Sequence, residues 1–172
     1  MHPIRSAIAA AALSALFLAD NASAAATSHV EDATAKLAAA ASPMAAGALE
    51  KLYSNRTWKW KTGGGFFSSD RKRFTAWSRD GRTWSYAEGR WYTTDGGKLC
   101  MRAVWTSKGS SVGNITCFLH REKHGVVYQK PSLGGKWYVF RHKPVQRDDE
   151  VRKLVKGDRV SREVSRIKAV HQ

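Results

Sequence analysis

The sequence predicts a mainly β domain, an antiparallel meander forming a small barrel or a strongly curled sheet, with short flanking helices. Three observations carry the prediction. Between Thr57 and His142, apolar or aromatic residues alternate with polar ones, the period-two pattern of half-buried strands. Turn signals containing glycine interrupt this run roughly every ten residues, the spacing of small all-β folds. A single cysteine pair, Cys100 and Cys117, lies symmetrically about one expected hairpin loop.

Residues 1–24 read as a signal peptide. Met1 to Arg5 is short and basic, and Ser6 to Ala19 is apolar but too short to span a bilayer. Ala22-Ser23-Ala24 then places small residues where signal peptidase reads them, so cleavage is expected after Ala24. The mature chain should be periplasmic or secreted. No later apolar run is long enough to make a membrane-spanning helix.

Residues 25–41 are alanine-rich and read as a mobile or partly helical linker, because alanine favours helix but a short isolated helix is marginal in water. Ser42-Pro43 has the form of an N-cap followed by proline at the first helical position. Leu49, Leu52 and Tyr53 follow at helical spacing, so a short amphipathic helix should open a β domain covering residues 42–145.

The expected strands begin with Thr57 to Lys61, Phe66-Phe67, Arg73 to Ser78, Thr83 to Tyr86 and Arg90 to Thr93. Lys98 to Thr106, Ile115 to His120, Val126 to Lys130 and Trp137 to His142 complete them. Turns are expected at Gly63-Gly64-Gly65, Asp80-Gly81, Glu88-Gly89 and Asp95-Gly96-Gly97. If the strands on either side of Lys108-Gly109 pair as a hairpin, Cys100 faces Cys117 and Arg102 faces Ile115. In an exported chain this pair reads as a structural disulfide. Closing a loop of about sixteen residues stabilises by roughly 3 kcal/mol in the chain-entropy model.

Residues 146–172 form a basic segment with helical periodicity. Val151, Leu154 and Val155 make one apolar stripe and Val160, Val164 and Ile167 another, with Gly157-Asp158 between them.

No catalytic or metal-ligand pattern stands out, so a non-enzymatic protein without cofactors is expected. His120 and His124 have no nucleophile at a recognisable motif, and there is no G-x-S-x-G. Of the β-region carboxylates Asp70, Asp80, Glu88, Asp95 and Glu122, Asp80 and Asp95 are accounted for by turns, and Asp70 with Glu88 is the pair weighed for glycosidase chemistry. Gly63 to Gly65 lacks the Lys-Ser/Thr of a phosphate-cradling loop and does not open a helix.

The charge is more informative. The formal net charge is +15, and losing Arg5 and Asp20 with the signal peptide leaves it unchanged. Such a field favours anionic surfaces. Cations interleave with aromatic residues, and Arg71, Lys72, Arg73, Arg79 and Arg82 fall within one predicted hairpin as candidate anion-binding residues. Simple alternation, with tryptophan inside and the cation outside, produces the same pattern. The expected partner is an anionic envelope component: polysaccharide, lipopolysaccharide or the membrane surface. A small barrel that inhibits or regulates an exported enzyme is the alternative. The export signal disfavours nucleic acid.

Trp58-x-Trp60, Gly65-Phe66-Phe67, Glu88-Gly89-Arg90-Trp91, Leu99-Cys100 and Cys117 together carry a resemblance. From about Glu50 to His142 the chain resembles a family of small exported alphaproteobacterial proteins known as domain of unknown function 995. The resemblance implies a periplasmic β domain and supplies no activity.

Mass spectrometry of protein exported by a bacterial host should find Ala25 as the first residue. Intact Met1 in the soluble periplasmic fraction would overturn the cleavage reading.

Overall fold

The computed structural model describes residues 33–170, so the expected signal peptide lies outside the described residues. The first half of the chain holds a helix α1 over residues 33–39, β1 (Ser42–Pro43), α2 (Ala46–Tyr53), β2 (Arg56–Trp60), β3 (Gly63–Phe67), β4 (Arg73–Asp80) and β5 (Thr83–Thr94). The second holds β6 (Lys98–Ser107), β7 (Ser110–Lys123), β8 (Val126–Pro131), β9 (Tyr138–Arg141), β10 (Leu154–Lys156) and α3 (Ser161–Val170). No described helix is long and apolar enough to cross a membrane.

The strands form one antiparallel sheet in the order β10-β2-β3-β4-β5-β6-β7-β8-β9, with β1 paired to β7. The sheet curls strongly. Trp58 of β2 packs on Phe118 of β7 with ring centroids 5.0 Å apart, although four strands lie between them in the sheet. Alternate residues of each strand fill the concave face, among them Phe67, Phe74, Trp91, Leu99, Val127 and Phe140, all buried. Leu49 and Tyr53 on α2 enter that face and are fully buried.

β9 and β10 do not pair, so the sheet remains open. The connection between them is tied down by Asp149, whose Oδ2 accepts the backbone N–H groups of His142 (2.8 Å) and Gln146 (2.9 Å). Burial alone would raise the Asp149 pKa, but hydrogen bonds from the His142 ring and these backbone groups outweigh it and hold the carboxyl below its ordinary value.

The β6–β7 hairpin has the expected register, with Cys100 opposite Cys117, Arg102 opposite Ile115 and the turn at Lys108-Gly109. The cysteines form a disulfide across a Cα separation of 4.1 Å.

Elsewhere the structure corrects the local reading. Ser42-Pro43 does not cap a helix; it pairs with Glu122 and Arg121 of β7. α2 begins at Ala46, whose N–H is capped by Asp95 Oδ1 at 2.9 Å from the β5–β6 turn. Within the alanine-rich segment, for which partial helix is one of the two readings, residues 33–39 are helical, and Ala38 and Ala41 are buried against Tyr128. Arg121 donates to the carbonyls of Ala38, Ala39 and Ala41, which lie at the end of α1.

Gly63-Gly64-Gly65 is strand β3 rather than a loop, and Lys61-Thr62 makes the turn. Trp58 lies opposite Gly65 and Trp60 opposite Gly63, so the missing side chains make room for large rings. A Cβ on Gly65 would sit 2.7 Å from the Phe74 ring, and one on Gly63 would sit 2.6 Å from Trp60 Nε1. Glu88-Gly89 is likewise not a turn, because β5 runs unbroken through it. A Cβ on Gly89 would meet the Arg102 carbonyl oxygen at 2.0 Å.

The first C-terminal stripe is not helical. Glu150–Lys153 is a single 3-10 turn, and Leu154–Lys156 pairs with the otherwise open edge of β2. The second stripe is helix α3, which packs on the convex side of β4 and β5 and buries Val160, Val164 and Ile167. Asp158 Oδ1 caps it through the N–H groups of Val160 (2.8 Å) and Ser161 (2.9 Å).

Gly89→Ala should cost about 2–3 kcal/mol, because it forces β6 away from β5. Gly113→Ala has open space at its Cβ and should change stability by less than about 0.5 kcal/mol. Urea unfolding of the two variants measures the difference; equal costs would contradict the close approach at Gly89.

Candidate functional site

The convex face carries the densest unbalanced charge. Residues that face away from the core include Arg73 on β4, Arg90 on β5 and Arg102 on β6, all exposed. The strand registers place Arg73 directly opposite Arg90, and Arg90 directly opposite Arg102. Three guanidinium groups thus form one row across three adjacent strands. Neighbouring strands lie about 4.8 Å apart, so the row spans roughly 10 Å.

Counter-charge is short along this row. Arg73 pairs with Asp70 at 2.6 Å, and Arg90 donates to the Arg71 carbonyl at 3.1 Å. The Arg102 guanidinium has neither a hydrogen bond nor an ion pair with the described residues. The nearest carboxylate along β5, Glu88, is held by Lys168 of α3 at 2.6 Å. Like charges directly opposite on a sheet destabilise it, so the arrangement invites an anion. Tyr92 and Ile115, each 43% exposed, share the convex face with the row.

The five cations predicted from sequence do not come together. Arg71, Lys72 and Arg73 lie at the start of β4, whereas Arg79 and Arg82 lie at its far end, about 20 Å away along a strand of this length. Lys72 pairs with Glu50 at 2.9 Å and sits over the Trp91 ring. Arg79 bonds the Gly81 carbonyl and covers Trp84. Trp84 in turn packs on Trp77, both half-buried on the convex side. Arg73 and Arg71 are the predicted residues that belong to the row or support it.

Arg90 and Arg102 were not among the anion-binding residues expected from sequence. The hairpin register already placed Arg102 opposite Ile115. Reading Glu88-Gly89 as a turn split β5, and with it the register that aligns Arg90 with both neighbours.

The carboxylates and histidines weighed for catalysis have structural partners. Asp70 and Glu88 are each held in the ion pairs above. His120 is fully buried on the concave face, opposite Gln129 in the β7–β8 register. Its Nε2 lies 2.8 Å from the Tyr53 hydroxyl and 2.5 Å from Gln129 Nε2. Gln129 Nε2 also donates to the Tyr53 oxygen at 2.9 Å, and the Tyr138 hydroxyl donates to Gln129 Oε1. Accepting at Nε2 leaves the imidazole proton on Nδ1, which is buried without a hydrogen-bond partner among the described residues. Burial lowers the His120 pKa to about 4, although the backbone near Gly97 and Phe118 opposes the shift. Burial also raises the Tyr53 and Tyr138 hydroxyls well above their ordinary value.

This cluster makes stability depend on pH. His120 is held neutral in the fold, so between about pH 6.5 and 4 the unfolded chain binds the extra proton. Stability should be complete above this window and fall through it by about 3 kcal/mol. Asp149 acts lower, below its ordinary carboxyl pKa of 3.8. Urea unfolding at stepped pH should show the upper phase in the native sequence and lose it in His120→Gln. A flat profile from neutral pH to about 4 would contradict the buried neutral ring.

No curated protein and no solved structure matches the chain. A family model described as a protein of unknown function, DUF995, matches residues 15–160. With most of its length covered by that model, the chain belongs to the DUF995 family.

Proposed function

We propose that this is a non-catalytic binding protein of the cell envelope, and that it holds a polyanionic glycan against its convex face. The glycan is an acidic polysaccharide or the phosphorylated saccharide of lipopolysaccharide. One observation carries the reading: Arg73, Arg90 and Arg102 stand in direct register with a single carboxylate, Asp70, paired to them. A polymer with charges on successive units supplies the missing counter-charge at several points at once. Arginine suits this role because its planar fork can hold carboxylate or phosphate bidentately. Tyr92 and Ile115 offer apolar surface to the faces of sugar rings on the same side. The net charge of +15 brings the polymer in, and the expected export signal places the protein where such polymers occur.

Binding to immobilised acidic polysaccharide and to lipopolysaccharide, at low salt and at about 1 M salt, tests this. Affinity should fall steeply with salt. The triple variant Arg73→Gln, Arg90→Gln, Arg102→Gln should bind at least about tenfold more weakly and keep its thermal stability within about 1 kcal/mol. Arg79→Gln with Arg82→Gln removes charge from the far hairpin and should leave affinity nearly unchanged. Absence of binding at low salt, or a triple variant that binds as well as the native protein, would overturn the proposal.

A further inference from the structure

The concave side of the sheet holds a second site of opposite character. Where β2 and β7 approach each other, a cavity of about 260 Å³ opens, walled by Trp58, Trp60, Trp105, Phe118 and neighbouring apolar groups. A water molecule takes up roughly 30 Å³ in the liquid, so the cavity has room for a small organic molecule. Gly63 and Gly65, opposite Trp60 and Trp58, leave the space these rings occupy.

In a protein of net charge +15, the one ionisable group among the described residues of the cavity wall is a carboxylate, Glu150. Its Oε1 accepts the Trp58 indole N–H at 2.9 Å, which fixes it at the edge of that ring. Its Oε2 accepts from Lys153 at 2.6 Å, but the Lys153 side chain is 55% exposed against 23% for Glu150. Lys153 reaches Glu150 from the solvent side, so a cation in the cavity would share the carboxylate with Lys153 or displace that largely exposed side chain into water. Burial and then the Glu150 charge raise the Tyr138 hydroxyl, so its field reaches into the concave side.

The tryptophans divide in the same way. Trp84, Trp91 and Trp137 each have a lysine or arginine of the protein over the ring, and Trp77 stacks on Trp84. Trp58, Trp60 and Trp105 have no such cation among the described residues, and all three line the cavity. Ring faces are electron-rich and attract organic cations, most strongly when water is excluded. A fixed carboxylate beside them supplies the counter-charge.

We infer that the cavity is a binding site for a small organic cation with an apolar body, of the quaternary ammonium class. The cation sits among Trp58, Trp60 and Trp105, and Glu150 faces its charge. An anionic head would meet Glu150 without a cation fixed in the wall, and an uncharged body would gain nothing from the carboxylate.

Tryptophan fluorescence and calorimetric titration with choline and with its uncharged tert-butyl isostere test this on the mature protein. Choline should bind at least about tenfold more tightly than the isostere. Glu150→Gln should reduce that preference several-fold, leaving the part that the ring faces supply, while the isostere binds as before. Thr116 lines the mouth and is exposed, so Thr116→Trp should fold normally and weaken both ligands by obstructing entry. Affinity for choline should hold or rise with salt, because salt screens the distant positive charges more than the contact with Glu150. Polymer binding at the arginine row must fall with salt, so the two sites fail independently. Equal binding of choline and isostere, no binding of choline, or a preference undiminished in Glu150→Gln would each overturn the inference.

Discussion

A curled sheet that does not close must have its concave face filled from another element, and Tyr53 of α2 does this. Its ring packs against Trp58, Phe67, His120 and Phe140, which come from strands widely separated in sheet order. Its hydroxyl lies within hydrogen-bond distance of His120 and Gln129, so a polar atom brought into the core is satisfied there. The same contacts set the position of α2, and α2 depends on Asp95 for its cap. One side chain therefore couples the helix to both limbs of the curl. Leaving its buried hydroxyl unpartnered would cost about 1–3 kcal/mol, which explains why His120 and Gln129 face each other here.

The convex face carries two covers and one bare patch. α3 packs over β4 and β5, with its apolar stripe buried and Lys168 reaching Glu88. α1 and the residues after it cover Tyr128 on β8, secured by Arg121. Around Arg90 and Arg102 the strands stay exposed. A bare convex patch is ordinary for an antiparallel sheet, which can leave one face to water. Three arginines in register on it are not, since alternation requires only a polar residue at each position.

The two candidate sites sit on opposite faces of one sheet and have opposite electrostatics. The convex row has cations with little counter-charge, in high-dielectric surroundings where attraction is long-ranged but readily screened. The concave cavity has a single carboxylate held at an indole edge, where low polarity strengthens short-range contacts. The protein can thus be strongly basic as a whole and still present an electron-rich pocket, because the sheet separates the two environments.

Local pattern was legible in the sequence. Period-two alternation predicted the strands, the symmetric cysteines predicted the β6–β7 register, and Val160, Val164 and Ile167 predicted a helix that buries that stripe. These features depend on neighbours a few residues apart, or on a covalent pair that reports its own geometry. The misreadings share a different cause. Glycine at 63–65 and at 89 has no Cβ, a property that serves a tight turn and a close strand approach equally well, and composition cannot separate the two. Val151 to Val155 satisfies a helical stripe, yet an unpaired β2 edge draws Leu154 to Lys156 into the sheet. Both candidate sites belong to this second group. Arg73, Arg90 and Arg102 are distant in sequence and become a row only through two strand registers. Trp58, Trp105 and Glu150 share a cavity only because the sheet curls. The sequence by itself determined which residues face inward or outward along the strands its alternation marks; beyond the cysteine hairpin, the tertiary structure decided which strands those residues meet, because register and curvature are set by packing across the whole sheet.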